Sequence, residues 1–190
     1  TGMANHAGTT PMAERHDAVL ALAQLALAVN EIVTSRPGRQ VGTVGKLEVS
    51  PNAPNVVPGK ATAIIELRDL SPATLQSIAD EIRQRAQTIA ADTKTTIEIR
   101  PVSSNPPALA DTAMQDLVAQ ASRTRGLSSV RMPSGAGHDA QMMARLAPMG
   151  MIFVPSVAGI SHAPQELTQW DDCANGANVW MGAVLAQDAV

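Results

Sequence analysis

The sequence has one cysteine, four histidines and no long apolar run among its 190 residues. Cys173 has no partner for an intrachain disulfide, which is typical of a reducing compartment, so we expect a cytoplasmic protein. The longest apolar run, residues 18–29, is interrupted by Gln24 and is shorter than the roughly 20 residues that cross a bilayer. No membrane span is therefore predicted.

A strong charge of either sign is also missing. The net charge is −3 with both signs scattered, so no basic stripe is available for a phosphate backbone and nucleic acid is not expected as a partner. No signal peptide is recognised, and because the chain begins with Thr1 rather than Met we expect a segment upstream. The remaining composition, 45% hydrophobic and 16% charged, is that of a globular protein.

Helix 1 is predicted from residue 12 to about residue 33. Thr10 provides an N-cap and Pro11 a first-turn proline, while Arg36, Pro37 and Gly38 end the helix. The central residues 18–23 are apolar nearly all round, so one face can cover a sheet while another needs further cover. A second subunit is the cover that we expect.

Residues 1–105 are predicted to form an α+β unit, a ferredoxin-like four-stranded antiparallel sheet with two helices on one face. A helix capped by Ser71 and Pro72 carries a buried stripe at helical spacing, and residues 95–102 return as a strand. Two half-buried strands lie between the helices. Their inward-facing residues are expected to be Val41, Thr43, Gly45, Leu47 and Val49, followed by Ala61, Ala63, Ile65 and Leu67.

Residues 106–190 follow a different pattern, with helices alternating with short apolar strands. Helices are predicted at residues 111–125, 138–146 and 171–185, and strands at 129–132 and 151–154. This alternation favours part of a parallel sheet, but two or three strands are too few for a stable domain. We expect an incomplete α/β portion of a larger catalytic domain.

Four segments occur in order along the chain and carry most of its candidate chemistry. They are residues 5–12 (NHAGTTPM), residues 54–59 (PNVVPG) followed by 66–68 (ELR), residues 134–140 (SGAGHDA), and residues 159–166 (GISHAPQE). Together they resemble the second half of the M20-type metal-dependent amidohydrolases that include allantoate amidohydrolase, N-carbamoyl-L-amino-acid hydrolase and β-ureidopropionase. The resemblance implies a lid, also the dimerisation domain, inserted into an aminopeptidase-like catalytic domain that binds two metal ions.

His162 looks like the last metal ligand by this resemblance, with Glu166 as a carboxylate that supports it. Zinc is the expected ion, with manganese, cobalt and nickel as alternatives. A zinc site needs three or four protein donors. The resemblance implies that the other ligands and the general-base glutamate lie in the catalytic segment upstream of Thr1. On spacing alone, His162 reads instead as an exposed loop histidine.

His6 precedes a glycine just before helix 1 and could donate to an oxygen on which negative charge develops during acyl or carbamoyl hydrolysis. The resembling enzymes use a lid histidine in this way. The alternative is a residue of the helix-capping region.

Arg68 falls on the strand face that points away from the helices, where a guanidinium can bind a carboxylate with two parallel hydrogen bonds. Asn55 could supply an amide to the same group, and in the family these residues often serve the partner subunit's active site. The alternatives are a solvated charge paired with Glu66 and a turn-forming asparagine.

Gly135 and Ala136 lie in a glycine-rich loop that enters a predicted helix, where backbone amides can approach an anion. The resemblance places them against the substrate, with His138 and Asp139 near the wall of the site. The alternative is a helix entry without a ligand.

The expected activity of the intact enzyme is metal-dependent hydrolysis of a linear C–N amide bond in a carbamoyl or ureido substrate, such as an N-carbamoyl amino acid or allantoate. The expected partners are a small substrate with a carboxylate and a second copy of the chain, bound through the lid. Two alternatives stay open. The isolated chain could be a non-catalytic dimerisation and substrate-gating module, or the enzyme could be an aminoacylase or dipeptidase of the same superfamily.

Overall fold

The structure is a computed structural model that describes residues 1–188. The chain divides into two compact units, Thr1–Pro107 and Ala108–Val190. Helices and small antiparallel sheets give an α+β architecture, as the sequence predicted at this coarse level. Among the described residues, no helix is both long enough and apolar enough to span a membrane.

The first unit contains two helices and four strands. A short 3-10 turn, Met12–Glu14, precedes the first helix. The elements are β1 (Asn5–His6), α1 (Ala18–Thr34), β2 (Val41–Ser50), β3 (Val56–Val57), β4 (Lys60–Arg68) and α2 (Pro72–Asp92).

Helix α1 begins six residues later than the sequence predicted. Asp17, rather than Thr10, caps it, because its carboxylate accepts hydrogen bonds from the backbone amides of Val19 (2.8 Å) and Leu20 (3.1 Å). Arg15 is extended (φ −76°, ψ 140°) and separates the 3-10 turn from the helix. The predicted end of α1 before Arg36 is confirmed.

Strands β2 and β4 pair antiparallel, with Val41 opposite Arg68 and Ser50 opposite Lys60. A bulge between Val44 and Lys46 inserts one residue into β2 and changes which side chains face the helices. The predicted inward positions Val41, Thr43 and Gly45 are therefore wrong. Leu47 is also exposed, and Val49 is the one predicted position of β2 that is half-buried. The half-buried residues before the bulge are Gly42 and Val44, while β4 alternates as predicted, with Ala61, Ala63, Ile65 and Leu67 half-buried.

The core of this unit lies between the two helices and the β2–β4 pair. Helix α2 begins as predicted, with the Ser71 hydroxyl accepting from the Thr74 amide (3.2 Å) and Pro72 in the first turn. Ile32, Ile78 and Val29 are the largest fully buried side chains of the core. Burying such side chains is the main source of stability for a unit of this size.

The predicted single sheet of four strands is not found in residues 1–188. The strands form two separate pairs, β1 with β3 and β2 with β4. Residues 95–102 have no strand assignment, although Ile97 and Ile99 pack against the core and the Thr96 amide donates to the Thr1 carbonyl (2.8 Å). Residues 95–100 alternate between half-buried and exposed, as in a strand, but a strand also requires a backbone partner along its length.

The second unit is built from helices and loops. Helix α3 (Thr112–Thr124) is capped by Asp111, α4 is short (Ala140–Met143), and α5 spans Trp170–Asp188. Helix α4 is thus shorter than the predicted 138–146, and the predicted strands at 129–132 and 151–154 are not strands in the structure. Several large apolar side chains of this unit are exposed, among them Val130, Phe153, Trp170 and Trp180. A short apolar run predicts a strand only where a neighbouring strand completes the ladder.

Candidate active-site residues

His6 and Asn55 are brought together by the β1–β3 pair. Asn5 lies opposite Val57 and His6 opposite Val56, and the Ala7 amide donates to the Asn55 carbonyl (2.8 Å). Both candidate side chains are exposed at this small ladder. Two of the residues that the sequence singled out are therefore neighbours, although 49 positions separate them.

The imidazole of His6 is oriented by its own loop. The Gly8 amide donates to His6 Nδ1 (3.1 Å), and the His6 amide donates to Asn5 Oδ1 (2.9 Å). Because Nδ1 accepts a hydrogen bond, the neutral ring carries its proton on Nε2. Nε2 is then a donor, which suits an oxygen that gains negative charge.

Asn55 ends the turn that leads into β3. The Val56 amide donates to the Ala53 carbonyl (3.2 Å) and the Gly59 amide donates to the Ser50 carbonyl (3.1 Å), which closes the turn on both sides. Within residues 1–188 the side-chain amide of Asn55 makes no hydrogen bond. Its donor and acceptor atoms can therefore engage a ligand as well as water.

Arg68 lies on the exposed face of β4 and contacts Glu66. Nε and Nη2 of Arg68 both donate to Glu66 Oε1, at 2.8 and 2.5 Å. The arginine side chain keeps 44% of its area exposed, so solvent screens the pair and its contribution to stability is small.

Arg68 is the last residue of β4, whereas Asn55 lies in the turn that precedes β3. Eight residue steps at about 3.3 Å each make β4 roughly 26 Å long.

His162 lies in the second unit and has a left-handed backbone (φ 57°). Its amide donates to Glu166 Oε2 (2.7 Å), and Ser161 Oγ donates to Glu166 Oε1 (3.4 Å). Glu166 therefore supports the backbone of His162 in this structure, whereas the sequence suggested that it supports the imidazole. The His162 side chain is exposed.

The residues present do not complete a metal site. Among residues 1–188, no group of three or more histidine, cysteine, aspartate or glutamate side chains could hold one ion. A zinc centre needs three or four protein donors, so the imidazole of His162 can be at most one of them. The described residues can therefore contribute one ligand to a metal centre, but they cannot form a complete centre.

Gly135 and Ala136 lie in an exposed loop. The Ala136 amide donates to Ser134 Oγ (3.2 Å), and the Ala140 amide donates to Nδ1 of His138 (3.0 Å). A Cβ atom added to Gly135 would meet nothing within 4 Å. The helix that follows has only four residues, so the helix-end anion site suggested by the sequence has little helix behind it.

Arg15 and Thr10 are parts of the His6 loop whose role sequence reasoning missed. Thr10 is only 8% exposed, and its hydroxyl donates to the His6 carbonyl (2.7 Å). Arg15 donates to the carbonyls of Ala7 and Thr10. The sequence prediction assigned Thr10 to capping and placed Arg15 inside helix 1. No sequence signal marks these contacts, because their acceptors are backbone carbonyls.

The pKa values of Lys46 and Glu48, a charged pair on β2, are shifted from their usual values. A hydrogen bond with Glu48, together with its charge, raises the pKa of Lys46, and the same contact lowers the pKa of Glu48. The side chains lie 2.8 Å apart and are largely exposed. Solvent screening makes this a surface feature that contributes little to stability.

The comparison with protein families assigns the chain to a hydrolase class. The model of peptidase family M20/M25/M40 matches residues 2–186. The chain belongs to this family.

Named relatives are amidohydrolases. Ureidoglycolate hydrolase of Arabidopsis thaliana is 42% identical over 94% of this chain and 38% of its own length. N-carbamoyl-L-amino acid amidohydrolase of Geobacillus stearothermophilus is 37% identical over 94% of this chain and 43% of its own. Allantoate amidohydrolase of Escherichia coli (strain K12) is 36% identical over 92% and 43%.

A solved structure gives the same result at the level of the fold. The crystal structure of AtUAH in complex with (S)-hydroxyglycine superposes with a TM-score of 0.89 and 41% sequence identity. The match covers 98% of this chain and 44% of that chain. The chain thus spans less than half the length of these relatives. The predicted resemblance to the second half of an M20-type amidohydrolase is confirmed.

Proposed function

We propose that the intact enzyme hydrolyses a linear C–N amide bond in a carbamoyl or ureido substrate of the N-carbamoyl amino acid or allantoate type. In this proposal, residues 1–105 are the substrate-binding and dimerisation lid and residues 106–190 are the C-terminal part of the catalytic domain. The observation that carries it is the joining of His6 and Asn55 by the β1–β3 pair, with an exposed Nε2 donor beside an exposed amide. The names of the relatives support the substrate class.

His6 would act on the scissile carbonyl. Its Nε2–H would donate to the carbonyl oxygen as negative charge develops there, which lowers the barrier because the donor is already in place. Asn55, one strand away, would orient the polar end of the substrate through its amide. Gly135 and Ala136 are proposed as further substrate-binding residues.

Arg68 would bind the substrate carboxylate. Two parallel hydrogen bonds from a guanidinium match the geometry of a carboxylate, and the Glu66 contact limits the rotamers of the side chain. Arg68 and Asn55 both belong to the proposed lid, which in a homodimer would serve the active site of the partner subunit.

The proposed cofactor is a divalent metal, with zinc favoured and manganese, cobalt or nickel as alternatives. When bound, such an ion supplies a Lewis acid and an activated water. The contribution of this chain is the imidazole of His162, while the remaining ligands would come from outside these residues. The position of Glu166 against the His162 amide fixes the backbone from which the imidazole projects.

The lid is proposed to be ferredoxin-like in the intact enzyme, with residues 95–102 as a further strand beside the β2–β4 pair. The support is that Ile97 and Ile99 are half-buried and pack against the core of the first unit. A cytoplasmic location stays a prediction that rests on Cys173 as the single thiol of the chain.

A second function is favoured by the incomplete donor set. As isolated, the chain would be a non-catalytic dimerisation and substrate-gating module, because no cluster of three metal-binding side chains exists in residues 1–188. An aminoacylase or dipeptidase activity of the intact enzyme is the remaining alternative. Comparing turnover of N-carbamoyl with N-acyl amino acids and dipeptides separates it from the proposed activity.

The test is Arg68→Ala in the intact enzyme. Losing hydrogen bonds from a charged donor to the substrate carboxylate should raise KM by roughly 10- to 100-fold and change kcat less. The matched control is Lys60→Ala, because Lys60 is exposed on the same face of β4 at its other end. An unchanged KM for Arg68→Ala would contradict the role of Arg68.

A further inference from the structure

We propose that Arg15, together with Gly8 and Thr10, is a clamp that holds the imidazole of His6 with its proton on Nε2 and that Arg15 is a positioning residue of the reaction. This inference rests on the proposed function of His6. It assigns to Arg15 a role that acts through His6, since Arg15 bonds to the backbone of the loop and to no candidate substrate-binding group.

The first contact of the clamp sets the proton position. The Gly8 amide donates to Nδ1 of His6 at 3.1 Å, which excludes a proton on Nδ1. A Cβ atom at residue 8 would lie 3.2 Å from Cε1 and 3.5 Å from Nδ1 of His6, and these ring atoms are its nearest neighbours. Glycine therefore lets the amide approach the ring closely.

The second contact fixes the backbone of His6. Its carbonyl accepts from both the amide (3.1 Å) and the hydroxyl (2.7 Å) of Thr10, whose side chain is nearly buried. The carbonyl oxygen thus uses two acceptor positions on one residue. This bond pair closes residues 6–10 into a compact turn under the ring.

The guanidinium of Arg15 donates hydrogen bonds to the backbone of this turn. Nη2 of Arg15 donates to the Ala7 carbonyl and Nε donates to the Thr10 carbonyl (3.1 Å), so one planar guanidinium spans both ends of the turn. Both bonds are partly buried, which makes them stronger than exposed ones. A lysine cannot reproduce the two-atom fork.

Lys94 provides a comparison for Arg15, because it also donates to a backbone carbonyl close to the His6 loop. Its Nζ donates to the Ala13 carbonyl (2.7 Å), in the 3-10 turn and outside residues 6–10. Lys94→Ala removes a cation-to-carbonyl bond from the same loop without touching the turn beneath His6. It is therefore the matched control for Arg15.

The direct test is the proton position of His6, read by two-bond 1H–15N NMR on intact enzyme labelled with 15N-histidine, at a pH where the ring is neutral. The His6 signal is assigned by its loss in His6→Ala. Wild type and Lys94→Ala should show the Nε2–H pattern, whereas Arg15→Ala and Gly8→Ala should show a mixture of both tautomers. An unchanged Nε2–H pattern in Arg15→Ala would overturn the clamp.

Kinetics separate this inference from the proposed function. Arg15→Ala should lower kcat by about 10- to 100-fold through misplacement of the donor, with KM little changed and partial recovery in Arg15→Lys. If His6→Ala lowers kcat but Arg15→Ala does not, the clamp fails. If His6→Ala leaves kcat unchanged, the proposed role of His6 fails while the NMR result still decides the clamp. Gly8→Ala is a second variant of the clamp that is expected to fold, because the backbone of Gly8 is not left-handed and alanine can adopt it. Thermal melting checks the folding of every variant.

Discussion

At the scale of single residues, two glycines allow β1 to pack closely against its neighbours. A Cβ atom at Gly59 would lie 2.8 Å from the backbone nitrogen of Ala4, and one at Gly2 would lie 1.9 Å from the His16 carbonyl oxygen. These neighbours are backbone atoms that cannot rotate away. The path of the chain into β1, and with it the position of His6, therefore depends on the absence of side chains at Gly2 and Gly59.

Gly59→Ala is predicted to destabilise the first unit by about 1–3 kcal/mol, because the added methyl group forces β1 away from the turn before β4. Urea unfolding followed by circular dichroism measures this change. The control is Gly45→Ala, where the nearest atom to the added Cβ is 4.0 Å away. Equal stability of the Gly59 variant and wild type would show that β1 adapts without cost.

Candidate residues were predictable from sequence one by one, but their grouping was not. His6, Asn55 and Arg68 were chosen by motif. The pairing of β1 with β3 that joins the first two is a contact across about 50 positions, which no local pattern encodes. Arg15 was missed because its bonds go to backbone carbonyls, and these leave no signature in a sequence template.

At the scale of elements, helix starts depend on a single capping side chain. Asp17 begins α1 with bonds to the amides of Val19 and Leu20. Thr10, the predicted cap, uses its hydroxyl on the His6 carbonyl instead. Ser71 and Asp111 cap the helices that were predicted to follow them.

Asp17→Ala is expected to lower the free energy of unfolding by about 0.5–2 kcal/mol, since the first amides of α1 lose their acceptor. Asp139→Ala is the control, because Asp139 precedes α4 without a side-chain capping bond. Denaturant midpoints with unchanged slopes measure both effects. A larger loss for Asp139 than for Asp17 would contradict this account of capping.

Strands were predictable only where a partner completes them. The alternation in β4 gave the correct faces, but the bulge in β2 shifted the register because an inserted residue is invisible to a period-two pattern. Residues 95–100 keep their alternation without a ladder. The apolar runs of the second unit likewise have no strand neighbours among the described residues.

At the scale of the whole molecule, helix α1 presents an apolar surface away from its core. Leu20 and Leu27 are 49% and 72% exposed, with Ala23 exposed between them at helical spacing. Large exposed leucines on one helix face are a common feature of interfaces. This stripe is where we expect the proposed homodimer to form through the lid.

Leu27→Glu should weaken that dimer at least about tenfold, because a carboxylate would be buried at the interface. Sedimentation equilibrium measures the monomer–dimer constant. Met12→Glu is the control, since Met12 is similarly exposed (75%) but lies outside α1. An unchanged constant for the Leu27 variant would place the interface elsewhere.

In the proposed function, these residues bind and orient substrate and donate one imidazole to a metal centre completed by residues outside this chain segment. Metal analysis of the dialysed 190-residue chain by mass spectrometry tests it most directly. We predict no stoichiometric zinc, manganese, cobalt or nickel, because residues 1–188 contain no cluster of three ligands. One or two tightly bound metal ions per chain would contradict the account.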